Sequence, residues 1–253
     1  MNWIGLWTLT SREVGRFFKV YRQTVIPGLI SSVLYILIFG FTLEQRISSI
    51  EGISYTIFII PGLIMMNTLT NASSNPSSSL LQMKLTGQVP DLMQAPLSSL
   101  EISLAFIVGG VVRGVVNWIL ILLIGMWIGG MEVLYPIATI GFIFVVSVAF
   151  SSMGLLLGQL ADTWDQLATM QNFFLTPLSF LGGIFYSVNM LPDWAQNISA
   201  FNPIYYMING LRYTTLGFSD SDPQYSFVIA LLMSIGLSFI AIFSMKSGKK
   251  MKQ

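Results

Sequence analysis

The chain has 253 residues, of which 54% are hydrophobic and only 9% are charged, with a formal net charge of +1. Soluble domains carry about 25% charged residues, so this composition excludes an ordinary soluble protein and predicts an integral membrane protein. Long apolar runs favour membrane-spanning helices over a β-barrel, which needs alternating segments of about ten residues. The sequence contains no cysteine and no histidine. It therefore lacks disulfides, thiolate ligands and the commonest general base, and we predict no catalytic residue, no metal site and no nucleic-acid partner.

Residues 1–23 predict a helix that lies along the membrane interface. Aromatic and aliphatic side chains recur roughly on one helical face, and cations lie between them, as is typical of interfacial helices. The apolar set is Trp3, Ile4, Leu6, Trp7, Val14, Phe17, Phe18 and Tyr21, and the cations are Arg12, Arg16, Lys19 and Arg22. The alternative is a positively charged flank that only fixes the topology of the chain.

Six apolar stretches predict membrane spans, since each is near the ~20 residues that a helix needs to cross the hydrocarbon core. They cover residues 25–43, 53–72, 104–128, 133–157, 167–188 and 227–245. Pro61 and Gly62 predict a kink in span two. The segment 73–101 is polar and rich in turn formers, so it predicts a loop. The fold class is thus an all-α integral membrane protein in which residues 1–253 form one domain of six spans.

The distribution of lysine and arginine predicts that both termini are cytoplasmic. Of the 12 cations, four precede span one and four follow span six, the latter being Lys246, Lys249, Lys250 and Lys252. Such positive flanks face the cytoplasm, and an even number of spans satisfies both ends. The loops 73–101 and 158–166 are then cytoplasmic, and the segment 189–226 faces outward.

Few features predict chemistry carried by the chain itself. No phosphate-binding loop is present, and no predicted span contains a carboxylate that could carry a coupling ion. Arg113 is the one charge inside a predicted span, where it costs at least about 2.5 kcal/mol. It either extends towards the interface, or belongs to a span that begins near Gly109, or contacts a substrate or lipid headgroup.

The stretch from Asn172 to Tyr213 has the most specific pattern in the chain. An apolar span is followed by two short amphipathic pieces that begin at Pro192 and Pro203, where proline is tolerated in a first helical turn. Apolar residues spaced three and four apart give each piece one apolar face. A span followed by two short helices that do not cross the bilayer predicts a structured lid on one membrane face.

This stretch resembles the type-2 ABC exporter permeases, the membrane subunits of bacterial ATP-driven exporters. The resemblance rests on PLSFLGGIFY at 177–186, LPDW at 191–194, NPIYY at 202–206 and Arg212. Two further matches are IPGLI at 60–64 and APLS at 95–98. The matching motifs extend over nearly the whole chain, and they are most similar to the small single-domain permeases of drug, lipo-oligosaccharide and polysaccharide exporters.

The resemblance implies a cytoplasmic coupling helix after span two and two short external helices between spans five and six. Leu80–Glu101 is the candidate coupling element, although Pro90 is expected to interrupt its helix before Asp91. The implied candidates for docking to an ATPase are Lys84, Thr86, Gly87, Asp91, Leu92 and Pro96. The implied candidates for a substrate path or gate are Phe180, Phe185, Tyr186, Asn202, Pro203, Tyr205 and Arg212.

The function implied by the resemblance is that of an exporter's permease subunit in the inner (plasma) membrane, moving an amphipathic, lipid-linked or drug-like substrate outward. No cofactor is expected on this chain, because ATP and Mg²⁺ would bind a separate cytoplasmic ATPase present in two copies. A second permease copy or a paralogue would complete the pore in the lipid bilayer. The alternative is an ATP-independent lipid scramblase or channel. An intramembrane enzyme is disfavoured because histidine, cysteine and embedded acids are absent.

Overall fold

The computed structural model describes residues 2–47 and 49–247. Lys249, Lys250 and Lys252, which contribute to the predicted orientation, lie outside the described residues. Over the described part the chain is a bundle of helices, and its only strands there form one small hairpin. The prediction of an all-α membrane protein is therefore confirmed.

Helix α1 (Trp3–Lys19) begins at Asn2, whose side-chain Oδ1 accepts a hydrogen bond from the Gly5 N–H at 3.0 Å. A side-chain acceptor at this position satisfies one of the free N–H groups at a helix start. Trp3 and Trp7 point away from the bundle and are 68% and 73% exposed, whereas Phe17 is buried. The helix is thus amphipathic with its tryptophans outward, and its position in the membrane interface stays a prediction.

Span one, Tyr21–Glu44, is assembled from four helical pieces. These are α2 (Tyr21–Thr24), α3 (Ile26–Tyr35), a π-helical segment (Ile36–Phe41) and α4 (Thr42–Glu44). The Glu44 carboxylate accepts hydrogen bonds from Ser54 Oγ and Thr56 Oγ1, both at 2.6 Å, which ties the end of span one to the next long helix. Strands β1 (Ser49–Ile50) and β2 (Ile53–Ser54) form the antiparallel hairpin between them.

Helix α5 (Tyr55–Leu85) is 31 residues long and occupies the centre of the bundle. The predicted loop at 73–101 is wrong for residues 73–85, which continue the helix of span two. The serines there do not break it, because their hydroxyls bond within the helix: Ser77 Oγ donates to the Ser73 carbonyl at 2.8 Å and Ser78 Oγ to the Ser74 carbonyl at 2.6 Å. At 1.5 Å per residue the helix is about 46 Å long and exceeds a hydrocarbon core of about 30 Å.

Helix α5 ends at Leu85, and Gly87 turns the chain with a φ of +69°, a conformation that glycine adopts at low cost. Helix α6 (Val89–Gln94) follows, with Pro90 in its first turn. The expected interruption by Pro90 is wrong, because the break falls at residues 86–88 and the proline lies where a helix start tolerates it.

Helix α7 (Ser99–Gly129) begins five residues before the predicted start of span three. A capping box fixes this start: the Ser98 N–H donates to Glu101 Oε2 at 2.7 Å, and the Glu101 N–H donates to Ser98 Oγ at 3.3 Å. This reciprocal pair satisfies two N–H groups at the helix end. The helix ends before Gly130, which has a φ of +65°.

The remaining long helices are α8 (Pro136–Leu160), α9 (Trp164–Leu181) and α12 (Pro223–Ser247). By length and composition, five helices in the described part can cross a membrane, namely Tyr21–Glu44, α5, α7, α8 and α12. Helix α9, predicted as span five over 167–188, has only 18 residues and ends at Leu181, because Gly182 and Gly183 turn the chain. The sixth crossing therefore stays a prediction.

Two short helices lie between α9 and α12, where the sequence predicts them. After a 3₁₀ turn (Val188–Met190), helix α10 (Asp193–Ala200) leads into helix α11 (Pro203–Leu216). Helix α11 packs among α5, α8, α9 and α12 and is buried over most of its length. We call this the α11 end of the bundle, and the opposite end, where α1 and α6 lie, the α1 end.

Glycines allow α7 and α8 to approach the backbone of α5 closely. A Cβ at Gly154 would lie 2.0 Å from the Ser73 carbonyl oxygen, and one at Gly110 would lie 2.6 Å from that of Ala72. A Cβ at Gly158 would lie 2.9 Å from Ser77 Cα. Small residues are typical of such contacts between membrane helices, because packing rather than water drives their association.

Gly154→Ala tests this packing. The added methyl has no space against backbone atoms that cannot rotate away, so the helices must separate at a cost of more than about 1 kcal/mol. We expect a lower melting temperature for the purified protein in detergent, followed by intrinsic fluorescence. Gly141→Ala is the matched control on the same helix, because a Cβ there meets no atom within 4 Å. Equal melting temperatures for the two variants would contradict the close α5–α8 contact.

Candidate functional site

A groove runs along one side of the bundle between span one, α5 and α9. It contains two cavities, of about 280 Å³ and about 220 Å³. We name them the Asn67 cavity and the Arg113 cavity after a residue that lines each. Each of the three elements contributes to both cavities, through residue pairs spaced four apart: Gly28 and Thr24, Thr70 and Ser74, Leu175 and Gln171. Four residues are about 6 Å of helix, so the two cavities follow one another along the groove, with the Arg113 cavity towards the α1 end.

The α5 wall of the groove is a polar stripe. Its members recur three and four residues apart and therefore share one helical face: Asn67, Thr70, Asn71, Ser74, Ser77 and Ser78. Several of their side chains bond to carbonyls one turn earlier, such as Thr70 Oγ1 to Met66 at 2.9 Å and Asn71 Nδ2 to Asn67 at 3.0 Å. The groove thus has a hydrogen-bonding surface inside a helix that is long enough to cross the membrane.

The Asn67 cavity is closed on one side by the tight approach of span one. Asn67 Nδ2 donates to Ser32 Oγ at 2.8 Å, and a Cβ at Gly28 would lie 2.7 Å from Asn67 Oδ1. On the other side α9 contributes Ser179 and Phe180. The cavity therefore has polar groups on all three elements, with an aromatic ring at its α11 end.

A cluster of aromatic rings closes the groove towards the α11 end. The Phe185 ring centroid lies 5.1 Å from that of Phe39, 5.7 Å from that of Tyr35 and 5.9 Å from that of Phe180. These distances are typical of attractive ring pairs. Tyr35 and Phe39 belong to span one, and Phe39 lies in its π-helical segment. Rings from span one and from the end of α9 thus meet at one point.

Three of the predicted path residues lie near this cluster. Phe180 and Phe185 belong to it, and Tyr55 Oη donates to the Phe185 carbonyl at 3.0 Å. Tyr186 lies beside it, because its Oη donates to the Phe180 carbonyl at 3.0 Å. The aromatic residues predicted from the sequence are therefore brought together at one end of the groove.

Arg113 lies in α7 and is only 7% exposed. Its Nε donates to Asn71 Oδ1 at 3.0 Å, so the side chain crosses from α7 to the polar stripe of α5. Arg113 also lines the Arg113 cavity. Because α7 is continuous from Ser99 to Gly129, residues 104–108 do not belong to a separate helix. A membrane span that begins near Gly109 within α7 stays a prediction.

Arg212 anchors α11 and is fully buried. Its Nη2 donates to the Gly183 carbonyl at 2.7 Å, its Nη1 lies 3.8 Å from Asp220 Oδ2, and its guanidinium carbon lies 3.9 Å from the Phe58 ring centroid. Burial lowers the pKa of Arg212 to about 10, while Asp220 and Tyr205 act in the opposite direction, so it stays charged at neutral pH. Asp220 in turn accepts from Ser187 Oγ at 2.5 Å and from the Val188 N–H at 3.0 Å.

Asn202, Pro203 and Tyr205 form the start of α11. Asn202 Oδ1 accepts from the Ile204 N–H at 3.0 Å, and its Nδ2 donates to the Leu178 carbonyl of α9 at 2.6 Å. Pro203 occupies the first turn, and Tyr205 is buried. These residues, together with Arg212, hold α11 in place and do not line the groove. The structure thus separates them from the three predicted aromatic residues.

The predicted coupling residues lie at the α1 end, between α5 and α7. Thr86, Gly87, Asp91 and Pro96 are exposed, whereas Leu92 is buried against α1 and α7. Lys84 Nζ donates to the Gln159 and Ala161 carbonyls at 2.7 Å and 2.9 Å. A cation on the last carbonyls of a helix is stabilising, so Lys84 joins the end of α5 to that of α8. The exposed surface of this segment also includes the apolar side chains of Leu85 and Met93.

The polar stripe of α5 and the two span-one rings, Tyr35 and Phe39, were not predicted from the sequence. The helical spacing of the stripe is visible in the sequence, but the interpretation of residues 73–101 as a loop hid its second half. Tyr35 and Phe39 have no local signal, because only the folded chain places them against Phe185. Among the described residues, no group of three or more acidic side chains is positioned to hold a metal ion.

These features define a membrane protein of several spanning helices, with a groove lined by span one, α5 and α9. No cluster of catalytic side chains is present among the described residues. The sequence profile of the ABC-2 type transporter family matches residues 5–216 of the chain. This match spans most of the sequence, and the chain belongs to the ABC-2 type transporter family.

Individual relatives agree with this assignment. The chain is 35% identical to the inner membrane transport permease YadH of Escherichia coli (strain K12), over all of this chain and 98% of that protein. It is 25% identical to nodulation protein J of Rhizobium leguminosarum bv. viciae, over 86% of this chain and 83% of that protein. It is 27% identical to the putative transport permease ycf38 of Cyanophora paradoxa, over 89% and 80%. The resemblance inferred from the motifs is therefore confirmed.

Asp220→Asn tests the anchor of α11. It leaves the Arg212 charge buried without its acid, and breaking a buried pair in this way costs about 3–5 kcal/mol. We expect a clear fall in the melting temperature of the purified protein, whereas Asp193→Asn, at an exposed position of α10, leaves it unchanged. The double variant Arg212→Met, Asp220→Asn should recover part of the loss, since it removes both charges. A single Asp220→Asn variant as stable as the wild type would contradict the anchoring role.

Proposed function

We propose that this chain is the membrane-spanning permease subunit of an ATP-binding-cassette exporter. It moves an amphipathic, lipid-linked or drug-like substrate outward, powered by ATP and Mg²⁺ on a separate cytoplasmic ATPase that is present in two copies. The observation that carries the proposal is the groove between span one, α5 and α9, with its polar wall and its aromatic closure at the α11 end. A second copy of the chain, or a paralogue, faces this groove and completes the path.

The proposed topology has six spans with both termini in the cytoplasm, so that the α1 end is cytoplasmic and the α11 end is external. Helix α9 is span five, which completes the six, with Gly182 and Gly183 ending it inside the outer half of the bilayer. Helices α10 and α11 then form the external lid. The name of the Escherichia coli relative supports an inner-membrane location for this chain.

The segment between α5 and α7 couples the permease to the ATPase. Both helices have 31 residues, about 15 Å more than a hydrocarbon core requires, and the polar end of α5 lies on the coupling side. The exposed residues Thr86, Gly87, Asp91 and Pro96 rest in a groove of the ATPase, with Leu85 and Met93 as apolar contacts. Lys84 and Leu92 support the segment from inside by fixing it to α8 and α1.

In the proposed cycle, ATP binding closes the two ATPase subunits and pushes the coupling segments. Because α5 is one continuous helix, a displacement of its cytoplasmic end moves its polar stripe relative to span one and α9. The substrate in the groove then passes the aromatic cluster. Phe39 of this cluster belongs to the π-helical segment of span one, and π-helical turns are frequent at functional sites. Phe180, Phe185 and Tyr186 act as the gate in this scheme.

Cysteine labelling tests the topology, since the chain has no native cysteine that would give a background signal. Asp165→Cys lies in the first turn of α9, Asp193→Cys lies beyond the other end of that helix, and Asp91→Cys marks the coupling segment. All three positions are exposed. We expect a membrane-impermeant maleimide to label only Asp193→Cys in intact cells, and the other two only after permeabilisation. Labelling of Asp165→Cys and Asp193→Cys from the same side would show that α9 does not cross.

Co-purification and reconstitution test the coupling. We expect Asp91→Arg to reduce the recovery of the partner ATPase at least about tenfold, because a reversed charge at an interface costs several kcal/mol. Asp193→Arg, at the other end of the bundle, serves as the matched control. Lipid transport by vesicles that contain this chain alone, without ATP, would instead favour the scramblase or channel alternative.

A further inference from the structure

Among the described residues, the charge of Arg113 has no acidic partner. The three ion pairs among the described residues join Arg16 to Glu13, Lys84 to Asp162 and Arg212 to Asp220. The single hydrogen bond of the Arg113 side chain to described residues is that from Nε to Asn71 Oδ1. The two terminal nitrogens therefore have four N–H groups without a partner in the described part of the chain.

A buried cation without a counter-ion is costly, and such residues in membrane helices usually mark a functional path. Arg212 illustrates the other solution, since this fully buried arginine lies beside Asp220, a carbonyl and a ring. Arg113 instead lines a cavity whose described lining residues include no acid. This difference indicates that the compensating anion comes from outside the chain.

Polar groups of Ser74, Ser77, Ser78 and Gln171 line the cavity around Arg113, and its described lining residues include no carboxylate. The Ser77 and Ser78 hydroxyls donate to helix carbonyls, and one N–H of Gln171 Nε2 donates to Ser77 Oγ. The donors left for a ligand are therefore the terminal N–H groups of Arg113, the Ser74 hydroxyl and the second amide N–H of Gln171. A second cation contacts the lining, because Arg16 Nη2 donates to Ser78 Oγ at 3.1 Å. A ligand with several acceptor oxygens fits such a set of donors, and arginine in particular matches the geometry of phosphate.

We propose that the Arg113 cavity binds the phosphate group of an amphipathic molecule whose apolar tail lies along the groove and in the bilayer. The volume of about 220 Å³ suits a headgroup and not a whole lipid. Span one and α9 present exposed apolar side chains such as Ile30 and Phe173 to the membrane, where the tail lies. This proposal rests on the proposed export function, because it assigns the exported cargo to the phosphate-bearing amphipaths. The binding itself requires neither ATP nor the partner ATPase, so it can be tested separately from export.

Binding of dioctanoyl phosphatidate to the full-length chain in dodecyl maltoside micelles, which contain no phosphate, tests the proposal, with native mass spectrometry as the measurement. Dioctanoylglycerol, which lacks the phosphate, and inorganic phosphate, which lacks the tail, are the comparison ligands. We expect phosphatidate to bind at least tenfold more tightly than either. If dioctanoylglycerol binds as tightly as phosphatidate, the proposed role of the phosphate is wrong. If inorganic phosphate binds as tightly as phosphatidate, the cavity is a site for a free anion and the proposed role of the tail is wrong.

Variants locate the site. Arg113→Gln should weaken phosphatidate binding at least tenfold, whereas Arg22→Gln, on the exposed surface near the same end, should leave it unchanged. Equal losses in the two variants would indicate general surface attraction and overturn the proposal.

A second pair of variants retains the buried charge in case Arg113→Gln does not fold. Ala168→Trp fills the cavity while leaving Arg113 intact, and Thr169→Trp places the same ring on an exposed neighbouring position outside the lining. We expect only Ala168→Trp to abolish binding. Unchanged phosphatidate binding by Ala168→Trp would place the ligand elsewhere on the protein.

Discussion

The close approach of α7 and α8 to the backbone of α5 is the contact on which the rest of the structure depends. At Gly110, Gly154 and Gly158 there is no room for a methyl group against residues 72–77 of α5. In a bilayer, water does not drive helices together, so this close packing and the hydrogen bonds between helices supply the cohesion. It also surrounds α5 with protein, which is why a helix with serines and asparagines can lie in a membrane domain at all.

The burial of α5 is what allows the groove to have a polar wall. Its polar stripe could not face lipid, because each unsatisfied polar group in hydrocarbon costs several kcal/mol. Small residues on one side of α5 are used for packing against α8, and the polar face on the other side meets span one and α9. One helix therefore separates a tightly packed wall from a groove that can present hydrogen-bonding groups to a substrate.

The two buried arginines show how the same residue type serves different purposes at the two ends of the bundle. Arg212 is fully buried beside Asp220 and the Phe58 ring. It holds α11 against the turn after α9 through the Gly183 carbonyl. Arg113 lines a cavity, and its terminal nitrogens have no hydrogen bond to the described residues. We interpret the first as an anchor and the second as a binding group, and the presence or absence of an acid within reach distinguishes them.

The sequence by itself determined the class of the protein, the number of apolar stretches and the two short helices before the last span. These are consequences of composition and of local signals, such as proline at a helix start and glycine after a helix end, which need no distant contact. The family was also readable from the motifs between residues 177 and 212. The ends of the helices were harder to predict from the sequence. Residues 73–85 are rich in serine and have the composition of a loop, and only their burial against the glycines of α8 makes the helix more stable than a loop.

The tertiary structure decided which residues form the site. Asn202, Pro203 and Arg212 appear in the same motif as Phe180 and Phe185, yet the fold uses the former to fix α11 and the latter to close the groove. Phe39 and Phe185 are far apart in the sequence and their ring centroids are 5.1 Å apart in the folded chain. No spacing rule links such residues, because their contact depends on the path of α5 between them. Arg113 was visible in the sequence as an isolated charge, but whether an acid, lipid or solvent compensates it depends on neighbours from other helices, which only the folded bundle supplies.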